Sequence, residues 1–339
     1  MAEETDGRPS DQLRARAAES RVKLWLLLEA DRRFVVAGLV AVVGLALLAA
    51  GLLLPAAAET LRQSDSVDTL FQGLLTATIT GVTLVLTLNQ LVLSQELGAV
   101  GDQRERMAGA MEFREDAADA IGASVSPARP SQFLRALVQV AGQRATQLRE
   151  AVDEADESYD AVVDLTESLT ENADRVTSDL DGAQFGDFDV LSAALNFNYS
   201  WKIFAARRIG ERHDLPPNAA AALSDLVDTL ELFGPAREHF KTLYFQWELI
   251  ELSRAILTAA LPALLVSIGM VAFFDPSRYV ALVPIVAVAA TIALLPFLVL
   301  LAYILRIATV TKHTLSIGPF ILRETEQVAE VSWRDDESR

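Results

Sequence analysis

Six polar residues lie in one line along a segment that is otherwise largely apolar. They are Thr76, Thr80, Thr83, Thr87, Gln90 and Ser94. The gaps of 4, 3, 4, 3 and 4 residues keep all six on one face of an α-helix. A hydroxyl or amide that faces lipid has no partner except its own backbone, so this face is expected to meet protein or water. The pattern predicts either a helix interface or the lining of a pore.

Residues that carry common enzyme chemistry are scarce. The chain has no cysteine, which excludes disulfides, thiolate metal ligands and cysteine nucleophiles. Its three histidines, His213, His239 and His313, are widely spaced, so neither a zinc site nor a Ser-His-Asp set is expected. The Gly-x-x-x-x-Gly-Lys phosphate loop does not occur in the sequence. We expect no enzyme activity, and therefore no catalytic residue, no metal site and no cofactor.

The composition combines 51% hydrophobic residues with a formal net charge of -17. The charge is concentrated in residues 101–250, where 14 lysine and arginine residues stand against 27 aspartate and glutamate residues. Such a surface is a poor match for nucleic acid, because phosphate contacts need clustered lysine and arginine. The carboxylates are interpreted as a solvated face, and a cation-binding face is the alternative.

Four stretches are long enough to cross a bilayer, which takes roughly 20 apolar residues. They cover residues 34–54, 70–95, 255–274 and 279–305. Basic residues are concentrated on the side of the two chain ends and of the middle segment, which predicts that these parts are cytoplasmic in a multi-pass protein of the cell membrane.

The expected fold is all-α, with four transmembrane helices in two hairpins and a helical cytoplasmic domain inserted between the second and the third. The predicted parts are an N-terminal amphipathic segment (1–33), a first hairpin (34–95), the cytoplasmic domain (96–252), a second hairpin (253–305) and an acidic tail (306–339). Pro262, Pro284 and Pro296 lie inside the third and fourth spans, where they indicate either packing kinks or hinges.

The cytoplasmic domain carries a heptad pattern over residues 131–180, with alternating 4- and 3-residue gaps from Ala141 to Leu180. It predicts one long helix, about 75 Å in length, that forms a coiled coil or an antiparallel bundle. Because many seam residues are alanine, the partner helix is expected to approach closely. Phe197, Trp201 and Phe204 share a helix face beside arginines, which favours core packing over a membrane or ligand contact. A helix that begins near Pro235 is expected to run into the third span.

The chain resembles multi-pass membrane proteins of salt-loving archaea in its many carboxylates and its 4 lysines among 29 basic residues. Its order of elements, two spans, a cytoplasmic helical segment and two more spans, is also similar to that of bestrophin-type channels. That resemblance implies that the second span lines a pore. Bestrophin-type channels narrow their pores with bulky apolar residues, whereas the line on this second span is rich in hydroxyls.

Two functions follow from these features. The first is a homo-oligomeric, weakly selective ion channel in which the polar line contacts inorganic ions. The second is a membrane scaffold or signalling protein that does not conduct, in which the same line holds helices together and the cytoplasmic coiled coil recruits a partner. In both, the expected partners are the lipid bilayer and further copies of the chain.

Overall fold

The computed structural model describes residues 25, 30–54, 56–63, 65–184 and 188–314. All regular secondary structure in these residues is helical, which confirms the predicted all-α class. The helices are α1 (Arg32–Leu53), α2 (Ala57–Gln63), α3 (Ser66–Glu96), α4 (Val100–Ala120), α5 (Pro130–Glu150), α6 (Tyr159–Leu180), α7 (Phe188–Leu195), α8 (Tyr199–Arg212), α9 (Pro217–Ala272) and α10 (Leu282–Thr314). Most of the predicted N-terminal amphipathic segment and acidic tail lies outside the described residues.

The chain divides into two compact units. One contains Trp25–Ala99 and Phe245–Thr309, and we call it the apolar unit. The other contains Val100–Tyr244 and residues 310–314, and we call it the acidic unit. Helices α1, α3, α9 and α10 are each long and apolar enough to cross a membrane.

In the apolar unit, α3 packs along its length against α9 and α10. Near the start of α3, Val67 and Phe71 are buried in one cluster with Met270 of α9 and Ala293 of α10. Further along the helix, a second cluster forms around Val85. Its other buried members are Leu252, Ile256 and Ala259 of α9 with Val299 and Tyr303 of α10. Burial of these apolar side chains thus fixes one face of α3 against its two neighbours.

Helix α1 approaches α10 through two glycines spaced seven residues apart. A Cβ on Gly51 would lie 2.5 Å from a methyl carbon of Val283, and a Cβ on Gly44 would lie 3.3 Å from the hydroxyl oxygen of Thr291. Only a residue without a side chain permits this approach at Gly51, which is a common way for apolar helices to pack tightly.

The predicted single helix over residues 131–180 is wrong, because the chain folds back between α5 and α6. The connection contains four carboxylates, at residues 153, 154, 156 and 157, whose charges repel. Within it, Asp156 Oδ2 accepts a hydrogen bond from the Asp153 backbone N–H at 3.0 Å, a local bond that competes with the helix. The two helices form an antiparallel hairpin, and a Cβ on Gly142 would lie 3.3 Å from Ala173 Cβ.

The prolines of the predicted spans differ in their helical positions. Pro262 and Pro296 lie within α9 and α10, whereas Pro284 is the third residue of α10. A proline in the first turn removes no helical hydrogen bond, because the N–H groups there have no partner within the helix. Helix α9 does continue into the third predicted span, but it begins at Pro217 and passes through Pro235.

Candidate pore or helix-interface site

All six polar residues of the predicted line lie on α3 and are exposed in the protomer. We call this set, Thr76 to Ser94, the polar stripe. The face of α3 that packs inside the apolar unit carries Phe71, Thr78 and Val85. At about 100° per residue, that face lies roughly 180° around the helix axis from the polar stripe. No element of the apolar unit that the structure describes therefore buries the stripe.

The threonine hydroxyls of the stripe are bonded within the helix. Thr76 donates to the Gln72 carbonyl at 3.0 Å, and Thr80, Thr83 and Thr87 each donate to the carbonyl four residues earlier at 2.9 Å. This bond satisfies the only donor of a hydroxyl and leaves the oxygen free to accept a further hydrogen bond. The stripe thus offers a row of acceptor oxygens.

Two more residues extend the stripe towards the start of α3. Thr69 and Gln72 are exposed, and they precede Thr76 by gaps that continue the 3- and 4-residue spacing. The same pattern would have revealed them in the sequence, but they lie where the apolar stretch begins. From Thr69 to Ser94 the polar face is about 37 Å long at 1.5 Å per residue.

A glycine lies at the edge of the stripe. A Cβ placed on Gly73 would meet no atom within 4 Å, so nothing within the described protomer requires a glycine there. Glycine beside hydroxyl residues lets a second helix approach closely. Gly73 therefore leaves this edge of the stripe open to close approach.

A second polar feature lies between two helices of the apolar unit and is partly buried. The Asn89 side chain of α3 donates to Ser253 Oγ of α9, and Ser253 donates to the Leu249 carbonyl at 2.8 Å. The amide of Asn89 thus holds α3 to α9 within one protomer.

The apolar unit also contains an ion pair between Arg32 of α1 and Glu248 of α9. Glu248 is 3% exposed, and the Arg32 guanidinium also lies 5.5 Å from the ring centroid of Tyr303. Sequence reasoning placed the third span seven residues later, at Ala255, and so missed this buried carboxylate. The usable signal was the absence of any helix break between Glu248 and that span.

The fold and these polar features define an all-helical protein with four helices long and apolar enough to span a membrane. Residues 1–335 match the family described as Family of unknown function (DUF7972), and the chain belongs to that family. No curated protein and no solved structure matches the chain.

Proposed function

We propose that this protein is a homo-oligomeric, weakly selective ion channel of the cell membrane. In this arrangement α1, α3, the second half of α9 and α10 cross the bilayer, and the acidic unit and both chain ends lie in the cytoplasm. The polar stripe of each subunit faces a shared axis. The observation that carries the proposal is the position of the stripe on the side of α3 that faces away from α9 and α10.

Conduction in such a channel rests on neutral groups. Each threonine hydroxyl of the stripe donates its hydrogen to the helix backbone, so its oxygen can coordinate a partly dehydrated cation. Around the shared axis, each stripe position would form a ring of identical side chains, and the size of that side chain sets the width of the path. Gln90 has the longest side chain of the stripe and would form the narrowest polar ring. Because the stripe has no fixed charge, selectivity would come from width and dipoles and would be weak.

Cysteine accessibility tests whether the stripe meets water. The chain has no native cysteine, so Thr83→Cys introduces a unique thiol, and Leu84→Cys is a matched control that is also exposed in the protomer. Thr83→Cys in the membrane is expected to react with a charged, membrane-impermeant thiol reagent at least tenfold faster than Leu84→Cys, because a thiolate forms only where water is present. Equally slow reaction at both positions would contradict a water-filled path.

Conductance tests the path itself. Purified protein in planar bilayers is expected to show unitary currents that fall in Thr83→Leu and Gln90→Leu, since each replaces a polar ring by an apolar constriction. Leu84→Ala, beside the stripe, is the control and should conduct as the wild type does. Currents that are absent in every salt, or that these stripe variants leave unchanged, would refute the channel.

A scaffold without a conduction path is the second candidate, and the internally bonded threonines favour it. Hydroxyls that bond their own backbone can lie in a dry helix interface, where each hydrogen bond between helices contributes on the order of 0.6 kcal/mol. In that case Thr83→Cys would form disulfide-linked dimers on mild oxidation while resisting the charged reagent. A channel gives the opposite reactivity to the reagent, so the same variant separates the two functions.

A further inference from the structure

A cavity of about 360 Å³ lies in the acidic unit between α6 and α8. Three cationic side chains of α8 line it, together with His213 immediately after that helix. The cations are Lys202, Arg208 and Arg212. All of these residues belong to the acidic unit, so the cavity is formed within one compact part of the chain.

The concentration of positive charge there stands out against the rest of the unit. Residues 101–250 contain 14 basic residues against 27 acidic ones, yet three of the basic residues meet at this cavity. Burial, followed by the charge of Arg212, lowers the pKa of Arg208. Lys202 is 1% exposed, and its ammonium lies 5.3 Å from the ring centroid of the buried Phe197. Arg208 and Arg212, one helical turn apart at the cavity wall, repel each other and are stabilised by an anion placed between them.

Two aromatic side chains form another part of the wall. Trp201 and Phe204 line the cavity, with ring centroids 5.5 Å apart and planes tilted by 35°. The expectation that Phe197, Trp201 and Phe204 all pack into the core holds for Phe197, which is fully buried, whereas the other two are only half-buried. An indole or phenyl face at a cavity wall offers a stacking surface to a planar ring.

The remaining groups suit a ligand that has hydroxyls. The Asp164 carboxylate of α6 lines the cavity and can accept hydrogen bonds from sugar hydroxyls. His213 Nδ1 is buried and has no hydrogen-bond partner among the described residues. The volume is near the lower end of the range for small-molecule sites, which limits the ligand to a compact molecule.

We propose that this cavity binds a small organic anion with a planar ring, of the class of nucleoside monophosphates. The phosphate would lie between Arg208 and Arg212, the base would stack on Trp201, and the sugar would face Asp164. The proposal goes beyond the channel function and does not depend on it.

Calorimetric titration of the purified full-length protein tests the site. AMP and UMP are the probes. Adenosine, which has the ring and the sugar, and inorganic phosphate, which has only the anion, are the controls. At low ionic strength at least one nucleotide should bind at least tenfold more tightly than either adenosine or phosphate, because ring and anion are recognised together. Failure of both nucleotides to bind at millimolar concentration, or binding no tighter than that of phosphate, would overturn the proposal.

Variants then locate the binding. Arg208→Gln and Trp201→Ala should each weaken the binding of the tighter nucleotide at least fivefold, and Trp201→Phe, which keeps a ring, should recover most of it. The control is Arg175→Gln on α6, whose exposed side chain pairs with Glu171 outside the cavity. Unchanged affinity in Arg208→Gln and Trp201→Ala would show that the nucleotide binds elsewhere and would refute this site. Thermal unfolding of each variant confirms that it is folded.

Discussion

The ion pair between Arg32 and Glu248 gives the most direct test of packing in the apolar unit. Glu248 is 3% exposed and Arg32 is 21% exposed. Glu248→Gln removes the negative charge and leaves the guanidinium with a neutral amide. Breaking a buried pair by removing one partner costs about 3–5 kcal/mol. Because Arg32 keeps contact with solvent and other groups and glutamine retains one acceptor oxygen, we expect a loss of about 2–3 kcal/mol in the free energy of unfolding, at or below the lower end of that range.

The same helix provides a matched control three residues later. Glu251 pairs with Arg254 at 3.2 Å, but these side chains are 40% and 73% exposed. An exposed pair contributes about 0–1 kcal/mol, so Glu251→Gln should change stability little. The assay is reversible unfolding in mixed detergent micelles, followed by far-ultraviolet circular dichroism. The double variant Arg32→Gln/Glu248→Gln should lose less than the sum of the two single variants, because the two side chains interact directly. Equal losses in Glu248→Gln and Glu251→Gln, or strict additivity in the cycle, would refute the buried pair.

Two further predictions concern the two units separately. In α1, Gly51→Ala should lower the unfolding free energy by about 1–3 kcal/mol, since its Cβ would lie 2.5 Å from Val283, whereas Gly38→Ala meets no atom within 4 Å and should be neutral or slightly stabilising. Equal melting temperatures for these variants would contradict the close approach. In α9, burial raises the pKa of Glu238, but hydrogen bonds from Lys241 and Arg237 outweigh it and leave that pKa below its usual range. The carboxylate therefore stabilises the fold fully above its ordinary pKa, near 4.3, and loses this contribution as pH falls through the lowered value. Glu238→Gln should flatten the acid limb of a stability–pH profile measured by chemical denaturation, and an unchanged profile would contradict this assignment.

The sequence was sufficient to predict the elements that depend on local pattern. Four apolar stretches became helices, and the 3- and 4-residue spacing placed Thr76 through Ser94 on one face of α3. Both predictions need only the helical period and the cost of exposing polar groups to an apolar environment. The same reasoning reaches Thr69 and Gln72 once the pattern is followed to the start of the helix.

Features that depend on tertiary packing were missed. A heptad seam is the same whether two helices belong to one long coiled coil or to a hairpin, so the pattern could not reveal the turn between α5 and α6. That turn contains neither proline nor glycine, and it is set by adjacent carboxylates and a side-chain bond of Asp156. The burial of Glu248 depends on its meeting Arg32, which is 216 residues away in the chain.

The positions in the middle of α3 decide what the polar stripe means. This helix has 31 residues, about 46 Å at 1.5 Å per residue, whereas the hydrocarbon core of a bilayer is about 30 Å thick. Thr69 and Ser94, about 18 and 20 Å from the helix midpoint, therefore lie beyond the core, where headgroups and interfacial water can satisfy them in any arrangement. Thr80 and Thr83 flank the midpoint, and their donors are already bonded within the helix, so lipid exposure costs them little. Access of water to Thr80 and Thr83, which flank the midpoint, therefore decides between a conduction path and a dry interface.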